Sequence, residues 1–423
     1  MVGRSLDILF IVPYVPSLVR VRPYNLIRHL AKRGHRVSVL TLWTNQREYT
    51  ELETLRQIAH QVEGVYLSRM RSFWNAFMAL PSSQPLQSVY CWHPEIVEKL
   101  KRASHSRKDE PPFDVVHIEH LRGAHYGLAI KDSIQDGYRQ IPVVWDSVDS
   151  ISLLFRQAAS HGQGFLGKWL TRFELGRTEP YEGWLATQFD RVLVTSPHDR
   201  EALLELLPES QKNRREKDLQ IDVLQNGVDL DYFKPDPKVK RKTASIIVSG
   251  KMSYHANVTM ALNLVNTIMP HVWKKRPDVD VSIVGKDPPR EILALAQDTR
   301  VEVTGTVDDI RPWLQSATVA AVPIIYGTGI QNKVLEAMAA STPVVSTSKA
   351  VSALEVEVGQ DILVADETED FAKELLCLID DPGLCREIGA SGRRYVERWH
   401  RWESVAAELE AIYYSAIQST DRG

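Results

Sequence analysis

Between Ile324 and Val345 the chain reads as a loop loosened by Gly327 and Gly329, opening onto a short helix that carries Lys333 and Glu336. The two glycines let backbone approach a ligand closely, and unpaired N–H groups from Ile330, Gln331 and Asn332 can face oxygen atoms at a helix start that favours negative charge. Lys333 adds a mobile positive charge. Glu336 follows almost one helical turn later, on the same face, where its carboxylate can accept two ribose hydroxyls. This set of donors, cation and acceptor suits a nucleotide diphosphate. The same run also reads as a surface helix whose Val334, Leu335, Met338 and Ala339 pack on a sheet, and the rest of the chain has to separate the two readings.

The elements that would position these groups follow a repeating pattern. Ile8 to Val12 is a continuous apolar run, as a parallel strand covered on both faces requires, and Pro13 ends it. Pro23 suits a first helical position, Leu26, Ile27, Leu30 and Ala31 form a helical stripe, and Gly34 stops it before a strand at Val37–Thr41. Further strands are predicted at 115–118, 143–145 and 192–195, spaced widely enough for crossover helices, so this half reads as doubly wound. The pattern breaks at the turn-rich segment 224–235, with its Asn226-Gly227 pair and Pro235. A second series follows at 245–249, 281–284, 301–304, 319–322 and 343–345. The chain therefore divides into a first α/β domain over 1–224, a second over 225–398, and a C-terminal helix over 399–423 whose apolar stripe suits packing back onto the first. Two open parallel sheets of this kind bind ligands outside the C-terminal ends of their strands.

Composition bounds the function. With 43% hydrophobic and 25% charged residues and a net charge of −3, the chain is ordinary soluble protein and not a general nucleic-acid binder. The first 225 residues hold 29 basic against 26 acidic residues, the remainder 22 against 28. That sign suits an N-terminal half that meets anionic lipid or a phosphorylated acceptor; a solvated surface explains it equally. Cys91, Cys377 and Cys385 lack metal or redox spacing and point to a reduced, cytoplasmic setting. No apolar stretch is long enough to span a bilayer, which leaves peripheral contact with a membrane's inner face open.

Taken together, the opening strand with Gly34-His-Arg-Val37, Asp114-Val-Val-His117, Gln225-Asn-Gly-Val-Asp229, Ile283-Val-Gly285, Val303-Thr-Gly-Thr306 and Glu336-Ala-Met338 resemble glycosyltransferase family 4. Gly329 to Met338 is similar to the signature of bacterial sugar transferases associated with exopolysaccharide synthesis. The resemblance implies a GT-B fold, two Rossmann-like domains facing a central cleft, and a retaining, metal-independent transfer of a sugar from a nucleotide-diphosphate donor to a glycan or lipid-linked acceptor, with no cofactor.

Residue by residue, the resemblance places Glu336 on the donor's ribose. The family's other carboxylate position is held here by Thr328. Of an arginine–lysine clamp after the second domain's first strand, Lys251 keeps one place and Asn257 replaces the other, so Lys333 becomes the main candidate for the leaving phosphate. The base would lie between Gly285-Lys286 and Thr306-Val307, against backbone groups. In the first domain, Arg20 and Arg22 are offered to a phosphate of donor or acceptor, and Glu119 or His120 to the transferred sugar or the acceptor hydroxyl; Asp146 and Asp149 line that side or cap a helix. Thr328 and Asn257 also leave room for a catalytically silent sugar-nucleotide-binding subunit, and the fold for a sugar-nucleotide epimerase. Dinucleotide oxidoreduction is disfavoured, since the first strand–helix loop has no Gly-x-Gly-x-x-Gly.

Overall fold

The computed structural model describes residues 4–105, 113–134, 141–161, 165–208, 220–326 and 329–420. They form two compact units, one from the described residues of 1–225 together with 402–420, the other from Asn226–Arg401.

The first unit is built on seven parallel strands: β1 (Asp7–Val12), β2 (Arg36–Trp43), β3 (Gln61–Tyr66), β4 (Val115–Glu119), β5 (Val143–Val148), β6 (Arg191–Val194) and β7 (Ile221–Val223), in the order β3-β2-β1-β4-β5-β6-β7. β1 and β4 are buried along almost their whole length, as strands covered on both faces must be. The chain order reverses between β1 and β4, and the C-terminal ends of strands at such a reversal are the usual ligand position in these sheets. The last helix, Trp402–Thr420, completes this unit: Trp402, Val405, Leu409 and Tyr413 are buried against Ile8, Phe10 and Leu26.

The second unit carries β8 (Ser245–Ser249), β9 (Asp280–Val284), β10 (Val301–Gly305), β11 (Val319–Val322), β12 (Val344–Ser346) and β13 (Leu363–Val364), all parallel, in the order β10-β9-β8-β11-β12-β13. Here the order reverses between β8 and β11. Both units are thus doubly wound α/β sheets of the Rossmann type. No described helix is long and apolar enough to cross a membrane.

Candidate functional site

The helix after β11, Asn332–Ala339, is fixed by what it buries. Val334, Leu335, Ala337, Met338 and Ala339 are inside the second unit's core, so Asn332, Lys333 and Glu336 are left on the outward side. Gly329 enters it with φ +65°. Among the described residues no side chain caps its N-terminus, and Val334 N donates to the Gln331 carbonyl at 2.8 Å. Lys333 Nζ donates to Gln331 Oε1 at 3.0 Å. Asn332 Oδ1 accepts from Asn226 Nδ2 at 3.2 Å, and the Asn226 carbonyl accepts from the buried His400 ring at 2.8 Å. The Asn226-Gly227 segment, read from sequence as a turn and as part of the family resemblance, therefore also braces the loop that starts this helix. Thr328 and Gly327 lie outside the described residues.

Lys333 and Glu336 perturb each other in opposite senses. Burial pulls the Lys333 ammonium down to about 8, against the attraction of Glu336. Burial pushes the Glu336 carboxyl up to about 7, against the attraction of Lys333. Each charge is thus held at a cost that a complementary ligand charge would relieve.

The neighbouring loops of the same sheet edge hold the other donor-side residues. Lys251, exposed, follows β8 in a turn that Asn257 closes by donating Nδ2 to the Lys251 carbonyl at 3.0 Å. Asn257 is buried there. It is a brace for the turn, which is a structural role that the sequence comparison of clamp positions did not foresee. Gly250 adopts φ +148°, and a Cβ on Gly285 would lie 1.7 Å from the Gly250 carbonyl oxygen, so the ends of β8 and β9 meet at a distance only glycine permits. Gly285 N donates in turn to Gly305 O at 3.2 Å, which ties in β10; Thr306 beyond it is exposed and Val307 half-buried. Lys251, Gly285, Thr306 and Lys333 consequently share the C-terminal edge of one sheet. Three strand spacings, about 14 Å, separate the β10 and β11 ends along it.

In the first unit the candidates divide. Arg20 lies over the Tyr14 ring at 4.5 Å and donates to Glu48 at 2.9 Å. Arg22 is buried: its Nε donates to Asp146 Oδ2 at 2.8 Å and its Nη1 to the Leu224 carbonyl at 3.0 Å. The expectation that Arg22 is offered to a phosphate is corrected, because its guanidinium is committed to Asp146, which is fully buried near the end of β5 and needs a cation. Burial pushes Asp146 up, but Arg22 and then His117 outweigh it and hold the carboxyl below its ordinary value. His117 packs in the core, stacked on Phe10, with Nδ1 against the Tyr413 hydroxyl at 2.8 Å.

Glu119 and His120 follow each other at the end of β4. Glu119 is buried and accepts from the Tyr14 hydroxyl at 2.8 Å. Burial first, and then Asp146, push its carboxyl up to about 8, opposed by the Tyr14 hydrogen bond. His120 has φ +65°, and burial followed by Arg122 lowers it to about 3, so it is a neutral ring at physiological pH. Left-handed non-glycine residues store strain that tends to occur at functional sites. Val148 at the end of β5 and Asp287 just beyond β9 share it, again at C-terminal strand ends. Tyr14 and Asp146 are the members of this cluster that sequence reasoning passed over or left as helix caps. Their signal was position alone, one residue beyond Pro13 and at the end of an apolar strand.

Residues 19–214 match a family model described as a glycosyl transferase 4-like domain, and residues 243–381 one described as glycosyl transferases group 1. The chain belongs to glycosyltransferase family 4. This family member is 29% identical over 213 residues to an MMP α-(1→4)-mannosyltransferase of Mycolicibacterium hassiacum, covering 47% of this chain and 49% of that one. It is 28% identical over 214 residues to a GDP-mannose-dependent α-(1-6)-phosphatidylinositol monomannoside mannosyltransferase of Mycobacterium tuberculosis, covering 45% and 54%. These matches span about half the length of the relatives. Among solved structures, sucrose-phosphate synthase from Thermosynechococcus elongatus aligns over 98% of this chain and 100% of its own, with TM-score 0.66 and 16% identity. Anabaena HepE in complex with UDP and glucose aligns over 97% and 100%, with TM-score 0.67 and 14% identity. Both carry the GT-B fold's paired Rossmann-like domains, and at these identities the likeness concerns the fold.

Proposed function

We propose that this glycosyltransferase-family chain is a retaining, metal-independent enzyme that moves a hexosyl or related sugar from a nucleotide-diphosphate donor to a glycan or lipid-linked acceptor, at the inner face of a membrane and in the synthesis of surface polysaccharide. The observation that carries the reading is Lys333 and Glu336 on one outward helix face beside the β8/β11 order reversal, each held in a costly ionisation state. In this reading Glu336 accepts the ribose hydroxyls. The diphosphate lies on the N–H groups of Ile330, Gln331 and Asn332 with Lys333 and Lys251 beside it, and Gly285, Thr306 and Val307 flank the base. As the sugar–phosphate bond breaks, negative charge grows on the leaving oxygen; preorganised N–H groups and Lys333 bind it more tightly as it grows, which lowers the barrier.

The first unit serves the acceptor. Glu119, protonated below about pH 8, takes a hydroxyl proton in its ionised form, and neutral His120 orients the sugar. Arg20, already paired with Glu48, would have to exchange that partner to meet a phosphate. The names of the mycobacterial relatives, with a phosphatidylinositol monomannoside among their acceptors, support a lipid-linked acceptor, and GDP-mannose is the first donor to test. The test is a panel of nucleotide sugars read by thermal stabilisation and by release of free nucleotide diphosphate, with and without a chelator. At a hundredfold excess over Kd, one donor should stabilise the fold by about 2.7 kcal/mol. It should be turned over equally with chelator present. Stabilisation by none of the panel would overturn the reading.

A further inference from the structure

The helix Arg69–Ala79 of the first unit is turned inside out. Its large apolar residues recur at helical spacing, yet they face solvent: Met70 is 83% exposed, Phe73 66%, Trp74 62%, Phe77 62% and Met78 57%. The inward face carries Ser72, Asn75, Ala76 and Ala79. This orientation is fixed by polar contacts, since Ser68 Oγ caps the helix by accepting from Arg71 N and Asn75 Nδ2 donates to the Trp92 carbonyl at 2.8 Å. An apolar stripe of this width normally points at a core. Exposed as one patch, it marks a surface that something covers.

The patch continues onto a second helix. Arg177 of the helix Phe165–Leu185 donates to the Leu80 carbonyl at 2.7 Å and lies over the Phe173 ring at 4.1 Å. Phe173 stacks on Trp169, which is 60% exposed, with Leu170 beside it 52% exposed. Charge selects the occupant. There is no acidic residue between Glu63 and Glu95, nor between Asp149 and Glu174, while Arg69, Arg71 and Arg172 are exposed on these two segments. Glu174 is buried and accepts from the Leu86 N–H at 3.1 Å. A second copy of this chain docked face to face would set arginine against arginine with no carboxylate between. Tryptophan and phenylalanine on one face with arginines at its border fit the water–lipid boundary of an anionic bilayer.

We propose that the helix Arg69–Ala79, with Trp169 and Leu170, is a docking surface for an anionic lipid bilayer. The inference deepens the membrane-side placement proposed above and rests on it for its purpose, but not for its geometry. The test is flotation of the full chain with vesicles of phosphatidylcholine alone and of phosphatidylcholine mixed equally with phosphatidylglycerol. Binding is expected to the mixed vesicles and to weaken as salt rises. The double variant Phe73→Glu, Phe77→Glu and the double variant Arg69→Glu, Arg71→Glu should each weaken it by about tenfold or more. Both should keep the wild-type melting temperature and its response to a nucleotide sugar. Wild type that fails to float with mixed vesicles overturns the proposal, as do variants that float as well as wild type. So does sedimentation showing a wild-type dimer that the phenylalanine variant dissociates. Loss of the nucleotide-sugar response with flotation intact would instead overturn the donor-site reading alone.

Discussion

The Lys333–Glu336 pair makes an unusual demand on pH. Glu336, raised to about 7, is ionised only above that value, and Lys333, lowered to about 8, is charged only below it. The lysine's folded value lies below its unfolded one, so its penalty on the fold is complete below pH 8 and fades as pH rises beyond. The carboxyl's folded value lies above its unfolded one, so its penalty grows as pH rises and is complete above pH 7. Between the two values the empty site carries both penalties, and a diphosphate with a ribose relieves both. Stabilisation by a nucleotide sugar, measured by melting across pH 5–10, is therefore expected to peak between pH 7 and 8, and Glu336→Gln should flatten the acid limb. Glu336→Ala should remove most of the response at every pH. Lys333→Ala should lower kcat by about a hundredfold while raising Kd much less, because its charge matters most as the leaving phosphate forms. In the first unit, Glu119 is raised to about 8, so wild-type stability should fall as pH rises from 5 to 8 relative to Glu119→Gln, in urea titrations of the two proteins.

At the level of elements, the glycine at the end of β9 sets how closely three strand ends can gather. Since a Cβ on Gly285 meets backbone and not a movable side chain, Gly285→Ala should destabilise by more than about 3 kcal/mol in chemical denaturation, whereas Gly305→Ala, strained at φ +68° but with open space around its Cβ position, should cost about 1 kcal/mol. The central strands were legible in the sequence because burial on both faces writes itself as unbroken apolar runs, as in Ile8–Val12 and Ser245–Ser249. β3, β7 and β13 were not. They lie at sheet edges, and β3 (Gln61-Val-Glu-Gly-Val-Tyr66) has its two valines three positions apart, so neither an apolar run nor a two-residue alternation marks it as a strand. Lys333 and Glu336 were readable because a loop and a one-turn spacing suffice to place them together. The partnership of Arg22 with Asp146, 124 positions apart, was not, because only the β1–β4–β5 pairing brings the two elements side by side. The same holds for Tyr14 with Glu119.

On the scale of the whole molecule, the second unit is one uninterrupted segment and the first is not. The chain leaves the first unit at Gln225 and returns to it at Trp402. Residues 226–401 expressed alone should therefore melt cooperatively, while residues 1–225 alone should not. Without the last helix they lack Trp402, Leu409 and Tyr413, and leave His117 without its hydroxyl partner. Scanning calorimetry of both fragments would check this, and adding the helix back through a linker should restore the transition. The late return of that helix also bears on biosynthesis. Domains generally fold in the order in which they leave the ribosome. Here the side chains that close the earlier-made unit are translated only after the whole of the second, so the second can mature while the first waits, its unfinished face offered to chaperones until the helix emerges.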